Sequence, residues 1–210
     1  MAKDAMDEQA MDMAAAKAAL RAQARTRRAT LPPSVRTVRG EAFARHALAL
    51  IRARLRLPGP VACTWSMPTE PPTDPLIARL QAADIEVVTP RIEGEGDLAW
   101  IRTLPSTPLG TGPLGIRTPI GGERVHLADC AVILVPALAL DPSGCRLGQG
   151  GGYFDRALGA IATQVDGGPL RIGMAYADEV LPDLPAEPHD QGVDLILTET
   201  GVTQVRPVAP

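Results

Sequence analysis

The segment from Ala131 to Ile161 constrains the fold more than any other part of the chain. Ala131-Val132-Ile133-Leu134-Val135 is apolar at every position. A strand with one wet face alternates apolar and polar residues, whereas one that is apolar throughout has both faces covered, as in a parallel sheet between helices. Five glycines follow within nine residues, namely Gly144, Gly148, Gly150, Gly151 and Gly152. From Tyr153 to Ile161 the pattern is helical. A buried strand, a glycine-rich turn and a helix form the basic unit of an α/β fold. Such a turn also lets backbone amides and a helix N-terminus come close to an anion.

The rest of the chain continues the alternation. Val61 to Trp65 reads as a buried strand. Asp74 caps a short helix with Pro75 at its first position and Leu76, Ile77 and Leu80 on one face. Ile85 to Val88 is the next strand, at a spacing that suits a right-handed parallel crossover. Leu98 to Leu104, Leu170 to Tyr176 and Val193 to Thr198 are further strands, while Pro105 to Gly122, rich in Pro and Gly, has no clear assignment. Ahead of them stand two helices, Met13 to Thr30 and Val35 to Leu57. Ser34 is the expected cap of the second, and Val38, Phe43, Ala47, Leu50, Ile51 and Leu55 roughly follow the helical period. Prolines 32, 33, 58 and 60 end them. The expected architecture is one α/β domain over residues 13–203, a three-layer sandwich with a mostly parallel sheet and an N-terminal helical pair. Residues 1–12 are expected to be a disordered tail and 204–210 a C-terminal tail.

Several function classes are disfavoured. No apolar run reaches the roughly 18–20 residues that span a bilayer, and the acidic start MAKDAMDEQAMDM lacks the apolar stretch of a secretory signal. Cys63, Cys130 and Cys145 are odd in number and contain no CxxC pair, against a disulfide framework or a thiolate metal site. A reducing cytoplasm is the expected setting. Charge is uneven although the net value is −3: from Ala14 to Arg56, Lys17 and ten arginines face one acid, Glu41. This run is either a solvated helical face or an attractor of an anionic ligand. A pI of 5.6 lacks the basic footprint of a nucleic-acid-binding domain.

The glycine loop is the strongest site signal. Arg146 and Arg156 flank it and are placed to add charge to phosphate oxygens. The loop lacks GxxxxGK[ST], and a GxGxxG frame starting at Gly148 would need glycine where Tyr153 stands. Phosphate binding is therefore expected, with the nucleotide class left open. Asp155, in the first turn of the following helix, either complements that helix end or holds magnesium beside phosphates. Asp190 is a turn residue or a second carboxylate for the same ion. His46, His126 and His189 are too scattered to argue for zinc.

Taken together, several segments resemble the 5-formyltetrahydrofolate cyclo-ligase family (methenyltetrahydrofolate synthetases). VPALALDPSGCRLGQGGGYFDRAL, residues 135–158, is similar to that family's VP strand, RLG-x-G-x-GYYD loop and helix. Lys17-Ala-Ala-Leu-Arg21 resembles its K-x-x-LR, Trp65-Ser-Met-Pro-Thr-Glu70 with Thr73 its S-M-x-x-E-x-x-T, and Leu184 to Asp190 with Leu197-Thr198-Glu199 its C-terminal pattern. The resemblance implies ATP-driven closure of 5-formyltetrahydrofolate to 5,10-methenyltetrahydrofolate with release of ADP and phosphate, on a NagB/RpiA/CoA-transferase-like sandwich. It assigns Lys17, Ala18, Ala19, Leu20 and Arg21, with Arg146, Leu147, Gly148, Gln149, Gly150, Gly151, Gly152 and Tyr153, to ATP. It assigns Trp65, Glu70 and residues Gln149 to Tyr153 to the folate, and Asp155 and Asp190 to Mg²⁺. Tyr153, at the loop's end, is the expected catalytic contact to the formyl group. The folate is expected to carry one or more glutamates, with no nucleic-acid or membrane partner and a monomeric protein. Departures are Gln149 and Phe154 in the loop, Gly115 to Pro119 without its usual glutamate, and Asp178-Glu179 where a glutamine is usual. Two alternatives remain at this point: a non-catalytic relative that binds nucleotide or folate, and an isomerase or transferase of the same fold.

Overall fold

The structure, a computed structural model, describes residues 2–54, 59–94 and 96–206, with side chains from Met11 onward except Leu114. Helix α1 (Ala2–Ala29) gives way to α2 (Pro33–Arg54) at the proline pair. Strand β1 (Val61–Ala62) leads to α3 (Asp74–Ala82) and β2 (Val87–Glu93). Strand β3 (Asp97–Arg102), the hairpin β4 (Leu109–Thr111) and β5 (Arg117–Pro119), and β6 (Arg124–Val125) follow. Next come β7 (Val132–Pro136), the hairpin β8 (Ala139–Leu140) and β9 (Arg146–Leu147), and α4 (Tyr153–Gly159). Strands β10 (Leu170–Met174), β11 (Leu195–Thr198) and β12 (Gly201–Gln204) complete the chain.

The main sheet has the order β12-β11-β10-β7-β1-β2-β3-β6. Its centre is parallel from β11 to β2, and antiparallel partners close both edges. The uninterrupted apolar run of β7 is explained by its register. Val132 and Leu134 join a cluster with Phe43, Ala47 and Ile51 of α2 and Leu76, Ile77 and Leu80 of α3. Ile133 and Val135 join a second cluster with Leu158 of α4 and Trp100 of β3. Side chains alternate across a strand, so a strand covered on both faces is apolar at every position. The expected mostly parallel α/β sheet with flanking helices and an N-terminal helical pair is thus present. Among the described residues no helix is long and apolar enough to cross a membrane.

Element boundaries differ from the expectation for local reasons. Proline at a helix start forfeits only an amide that would have no partner, so α2 begins at Pro33 and Ser34 lies inside it. Its expected end at Leu57 falls outside the described residues. Thr73 takes the cap position of α3, one residue before Asp74. The unassigned passage after Pro105 contains the β4–β5 hairpin. The segment read as a disordered tail continues the backbone of α1 back to Ala2. At the other end, β12 includes Gln204, and the amides of Val205 and Arg206 donate to the carbonyls of Asp194 and Pro142. Backbone pairing therefore carries the domain past residue 203.

Candidate active site

A cavity of about 670 Å³ opens beyond the carboxyl ends of β1 and β7, where α/β sheets commonly bind ligands. Thr64 and Trp65 leave β1 into its wall, and Pro136 to Leu138 leave β7. The β8–β9 hairpin then turns the chain back, delivering Arg146 and Leu147 to the opening of the glycine loop. Buried Asp141 fixes that return: its Oδ1 accepts from Ser143 N at 2.8 Å and Cys145 N at 3.2 Å, and its Oδ2 from Leu184 N at 3.1 Å.

Two glycines of the loop are required by what surrounds them. A Cβ on Gly151 would sit 2.6 Å from the Tyr153 ring, so the ring can lie against the loop only if that position is bare. Gly152 caps α4 with φ of +67°, a left-handed conformation open to glycine at little cost. With only seven residues in α4, its dipole is short, and the side-chain cations assume more of the electrostatic work than the sequence suggested.

Those cations come chiefly from α1. Lys17, Arg21 and Arg25 recur every fourth residue, lie on one helix face and line the cavity. Lys17 is buried and Arg21 half-buried there, whereas Arg25 stays exposed at the rim, so the basic run turns from cavity wall to solvated face along this stripe. Arg21 Nε donates to the Gly148 carbonyl at 3.0 Å, and Arg25 Nη2 donates to the Gln149 carbonyl at 2.9 Å. Gln149 passes the link on, with its Nε2 donating to Glu70 Oε1 at 3.1 Å while Glu70 Oε2 accepts from Met67 N. Lys17, 5% exposed, donates from Nζ to Asp190 Oδ2 at 2.5 Å and to Glu187 Oε2 at 2.6 Å. Burial alone would lower the Lys17 pKa, but these two carboxylates outweigh it and hold the ammonium above its usual value. Burial alone would raise Asp190, yet Lys17 and the Glu187 amide hold its carboxyl below the usual range.

A second ion pair lies across the loop. Arg146 Nη2 donates to Asp155 Oδ1 at 2.5 Å, and the Gln191 amide donates to the same oxygen at 3.1 Å. Both partners lie outside α4, so these contacts tie Asp155 to the site and not to its own helix end. Burial pushes the Arg146 guanidinium below its ordinary pKa, opposed chiefly by Asp155.

The structure gathers most of the residues expected here and separates a few. Lys17, Arg21, Trp65, Glu70, Asp155, Asp190 and Arg146 to Tyr153 all line the cavity. Ala18 and Ala19 are exposed on α1, and Leu20 packs with Ala139, Leu147 and Leu184; none of the three lines it, because lining recurs at helical spacing and skips the positions between. Arg156 turns behind the loop, donating to the Gly151 and Gly96 carbonyls with its guanidinium over the Tyr153 ring.

Other cavity residues carried no functional expectation. Arg117 of β5 lies over the Trp65 indole at 4.3 Å. His189 joins Glu187 and Asp190 in a cluster whose ligand atoms lie within 4.8 Å of one another. Arg25 was legible in principle from its i+8 spacing to Lys17. Glu187 lies within the C-terminal family-like segment Leu184 to Asp190, and Arg117 lies on a hairpin of three-residue strands too short to show a periodicity.

Hard divalent cations such as Mg²⁺ favour carboxylate oxygens and retain waters. Asp190 and Glu187 offer such oxygens in one cluster with His189; Asp155, the other expected ligand, lies outside that cluster on the same cavity wall and is linked to the segment by the Gln191 amide, next in the chain to Asp190. The donor set fits that kind of ion. Above it, Lys17, Arg21, Arg25 and Arg146 supply cationic donors for an anion.

Fold and site together describe an α/β protein whose glycine loop and basic helix wall a cavity beside carboxylates, with an aromatic and apolar compartment adjoining. A model of the 5-formyltetrahydrofolate cyclo-ligase family matches residues 13–199, and the chain belongs to that family. It is 34% identical to a 5-formyltetrahydrofolate cyclo-ligase of Mycolicibacterium smegmatis, covering 90% of this chain and 97% of that protein. The solved structure of Aquifex aeolicus 5,10-methenyltetrahydrofolate synthetase superposes with a TM-score of 0.78 at 30% identity, covering 92% of this chain and 95% of that one. A synthetase from Mycoplasma pneumoniae shares the fold at a TM-score of 0.70 and 21% identity, covering 87% of this chain and 98% of that chain.

Proposed function

We propose that this chain is an ATP-dependent 5-formyltetrahydrofolate cyclo-ligase. The observation that carries the reading is one cavity in which the basic face of α1, the glycine loop and the Trp65–Glu70 wall meet. Lys17, Arg21, Arg25, Arg146 and the amides of Gly148 to Gly152 take the ATP phosphates. Asp155 and Asp190 hold magnesium, which when bound neutralises phosphate charge. Trp65 and Glu70 take the folate, where a carboxylate suits the donor-rich pterin edge.

The chemistry makes a poor leaving group into a good one. The formyl oxygen attacks the terminal phosphorus of ATP, the bond to the bridging oxygen breaks, and ADP departs. The neighbouring folate N–H nitrogen then attacks the formyl carbon, closing the ring; its N–H bond breaks with the proton passing to solvent, and the C–O bond breaks so that the oxygen leaves as phosphate. The protein's part is to position the reactants and to stabilise charge on the transferring phosphoryl group. Tyr153, whose ring lies against Gly151 at the loop's end, is the group we assign to hydrogen-bond the formyl oxygen. Trp65, Pro90, Ile92 and Leu98 make the folate side apolar, which limits competing attack by water.

The decisive experiment mixes purified protein, Mg-ATP and 5-formyltetrahydrofolate and follows the methenyl chromophore. Stoichiometric ADP and methenyl product are expected. Absence of product with active folate present overturns the reading. A non-catalytic relative would bind both ligands in that assay without turnover.

A further inference from the structure

Both carboxylates assigned to the metal are already paired with cations assigned to the phosphates. Asp190 Oδ2 accepts from Lys17 Nζ at 2.5 Å and from Glu187 N at 2.8 Å. Asp155 Oδ1 accepts from Arg146 Nη2 at 2.5 Å and from Gln191 N at 3.1 Å. The two cationic side chains are almost wholly buried, at 6% and 3% exposure. A divalent ion approaching either carboxylate meets a cation already within hydrogen-bond distance of it, in a site where water screens poorly. A phosphate chain entering alone reaches the same two cations only by pulling them from their acids. It then leaves Asp155, Asp190 and Glu187 unneutralised beside its own negative charge.

We propose that Lys17 and Arg146 act as placeholder cations that exchange partners when metal and nucleotide enter together. The carboxylates pass from Lys17 and Arg146 to the metal, and the two cations pass to phosphate oxygens, so every buried charge stays paired throughout. Either ligand alone leaves half of the exchange incomplete. The site is therefore built to bind metal and nucleotide cooperatively and to hold each weakly by itself. Lys17 is the more mobile partner, because its ammonium sits on a flexible stem whereas Arg146 is held by the short β8–β9 hairpin. Linkage requires the coupling to be reciprocal: metal tightens nucleotide by the factor by which nucleotide tightens metal.

The inference rests on the Mg-ATP reading of the cavity, and its test is run without folate so that the two can fail separately. Mn²⁺ is the metal probe, followed by the paramagnetic signal of the free ion, and ADP is the nucleotide, followed by calorimetry with EDTA or with Mg²⁺. On the unaltered protein, Mg²⁺ is expected to tighten ADP by about tenfold or more, inside the usual range of binding couplings. Lys17→Met is expected to tighten Mn²⁺ alone by about tenfold and to reduce the metal–ADP coupling several-fold. Arg21→Met is the control for a general field effect, because Arg21 lies one turn away on a backbone carbonyl; it is expected to change Mn²⁺ affinity by less than about twofold. Equal Mn²⁺ affinity in Lys17→Met and the unaltered protein overturns the proposal, as does an equal gain in both variants. If Lys17→Met loses its circular-dichroism signal of folding, the coupling on the unaltered protein decides, and ADP affinity indifferent to Mg²⁺ overturns it. Failure of the cyclo-ligase reading shows elsewhere, as absent methenyl product.

Discussion

Glu179→Gln is the most informative single change outside the cavity, because it swaps an acid for its neutral isostere inside a fully buried ion pair. Glu179 is 1% exposed and its partner Arg28, in the last turn of α1, is 0% exposed. Arg28 Nε donates to Glu179 Oε1 at 2.7 Å and Nη2 to Oε2 at 2.7 Å, and Nη2 also donates to the Ala137 carbonyl at 2.6 Å. Glu179 Oε2 further accepts from Tyr176 N at 2.9 Å. Glutamine keeps the shape but can accept at only one of the two positions, and it leaves the Arg28 charge without a counter-ion. Removing one partner of a buried pair costs about 3–5 kcal/mol. The Tyr176 ring, 5.6 Å from the guanidinium, offsets roughly 1 kcal/mol of that. The expected loss is therefore about 2–4 kcal/mol, or a fall in melting temperature of roughly 5–15 °C for a chain of this size. Thermal and urea unfolding followed by circular dichroism measure it. Glu179→Leu combined with Arg28→Met should recover part of the loss, since an apolar pair needs no counter-charge. If Glu179→Gln unfolds within about 1 kcal/mol of the parent, the pair does not latch α1 to the sheet and the reasoning fails. The same change should raise KM for ATP, because α1 carries Lys17, Arg21 and Arg25 into the cavity.

Other outcomes follow from the same geometry. Asp155→Asn should lower kcat by about 100-fold or more while also lowering stability by about 1–3 kcal/mol, because buried Arg146 loses its acid; full turnover would remove Asp155 from the site. Gly151→Ala should displace the Tyr153 ring and reduce kcat by about tenfold or more with a stability loss of about 1–3 kcal/mol; unchanged steady-state rates would show that the ring's seat is unimportant. Burial pushes the thiols of Cys63 and Cys130 up to about 12, so Ellman's reagent at pH 8 should label these two only as the protein unfolds; the half-buried Cys145 should react sooner than either. Asp190 lies below its ordinary 3.8 and Lys17 above its ordinary 10.5. A depressed acid stabilises above its unfolded pKa and loses that as pH falls through the folded value; a raised base stabilises below its unfolded pKa and loses that as pH rises through the folded value. The stability gap between the parent and Lys17→Met should thus be constant near neutrality and shrink below pH 3.8 and above pH 10.5; a constant gap down to pH 3 would refute the pairing.

How much was legible in the sequence depended on whether the cause was local. The run Ala131–Val135 announced its two-sided burial because alternation across a strand is a local rule. The loop 148–152 announced a close backbone approach because glycine has few other reasons to cluster there. The Pro105–Gly122 passage was unreadable for the opposite reason: β4 and β5 are three residues each and paired only with one another, so neither has a periodicity. Arg28 and Glu179 lie 151 residues apart, and nothing local distinguishes a buried arginine from its exposed neighbours in so basic a helix. Ala18 and Ala19 fall outside the cavity lining because a contiguous motif on a helix presents only every third or fourth residue to one side.

The division of labour between the two N-terminal helices follows from their composition. α2 buries Phe43, Ala44, Ala47 and Ile51 against the sheet and is held by apolar area. α1 has only Leu20 as a large aliphatic between Met13 and its end, so burial of apolar surface contributes little to its docking. Its polar anchors among the described residues are cations on acids and carbonyls: Lys17 on Glu187 and Asp190, Arg21 and Arg25 on the loop backbone, Arg27 on the Asp178 carbonyl, Arg28 on Glu179 and Ala137. Three of these five cations line the cavity, where a phosphate-bearing ligand would compete for them directly. A helix held by apolar packing would be indifferent to that competition. One held by exchangeable ion pairs has its docking strength set by what occupies the site, with the Arg28–Glu179 latch, outside the cavity, keeping it attached while the other pairs change hands.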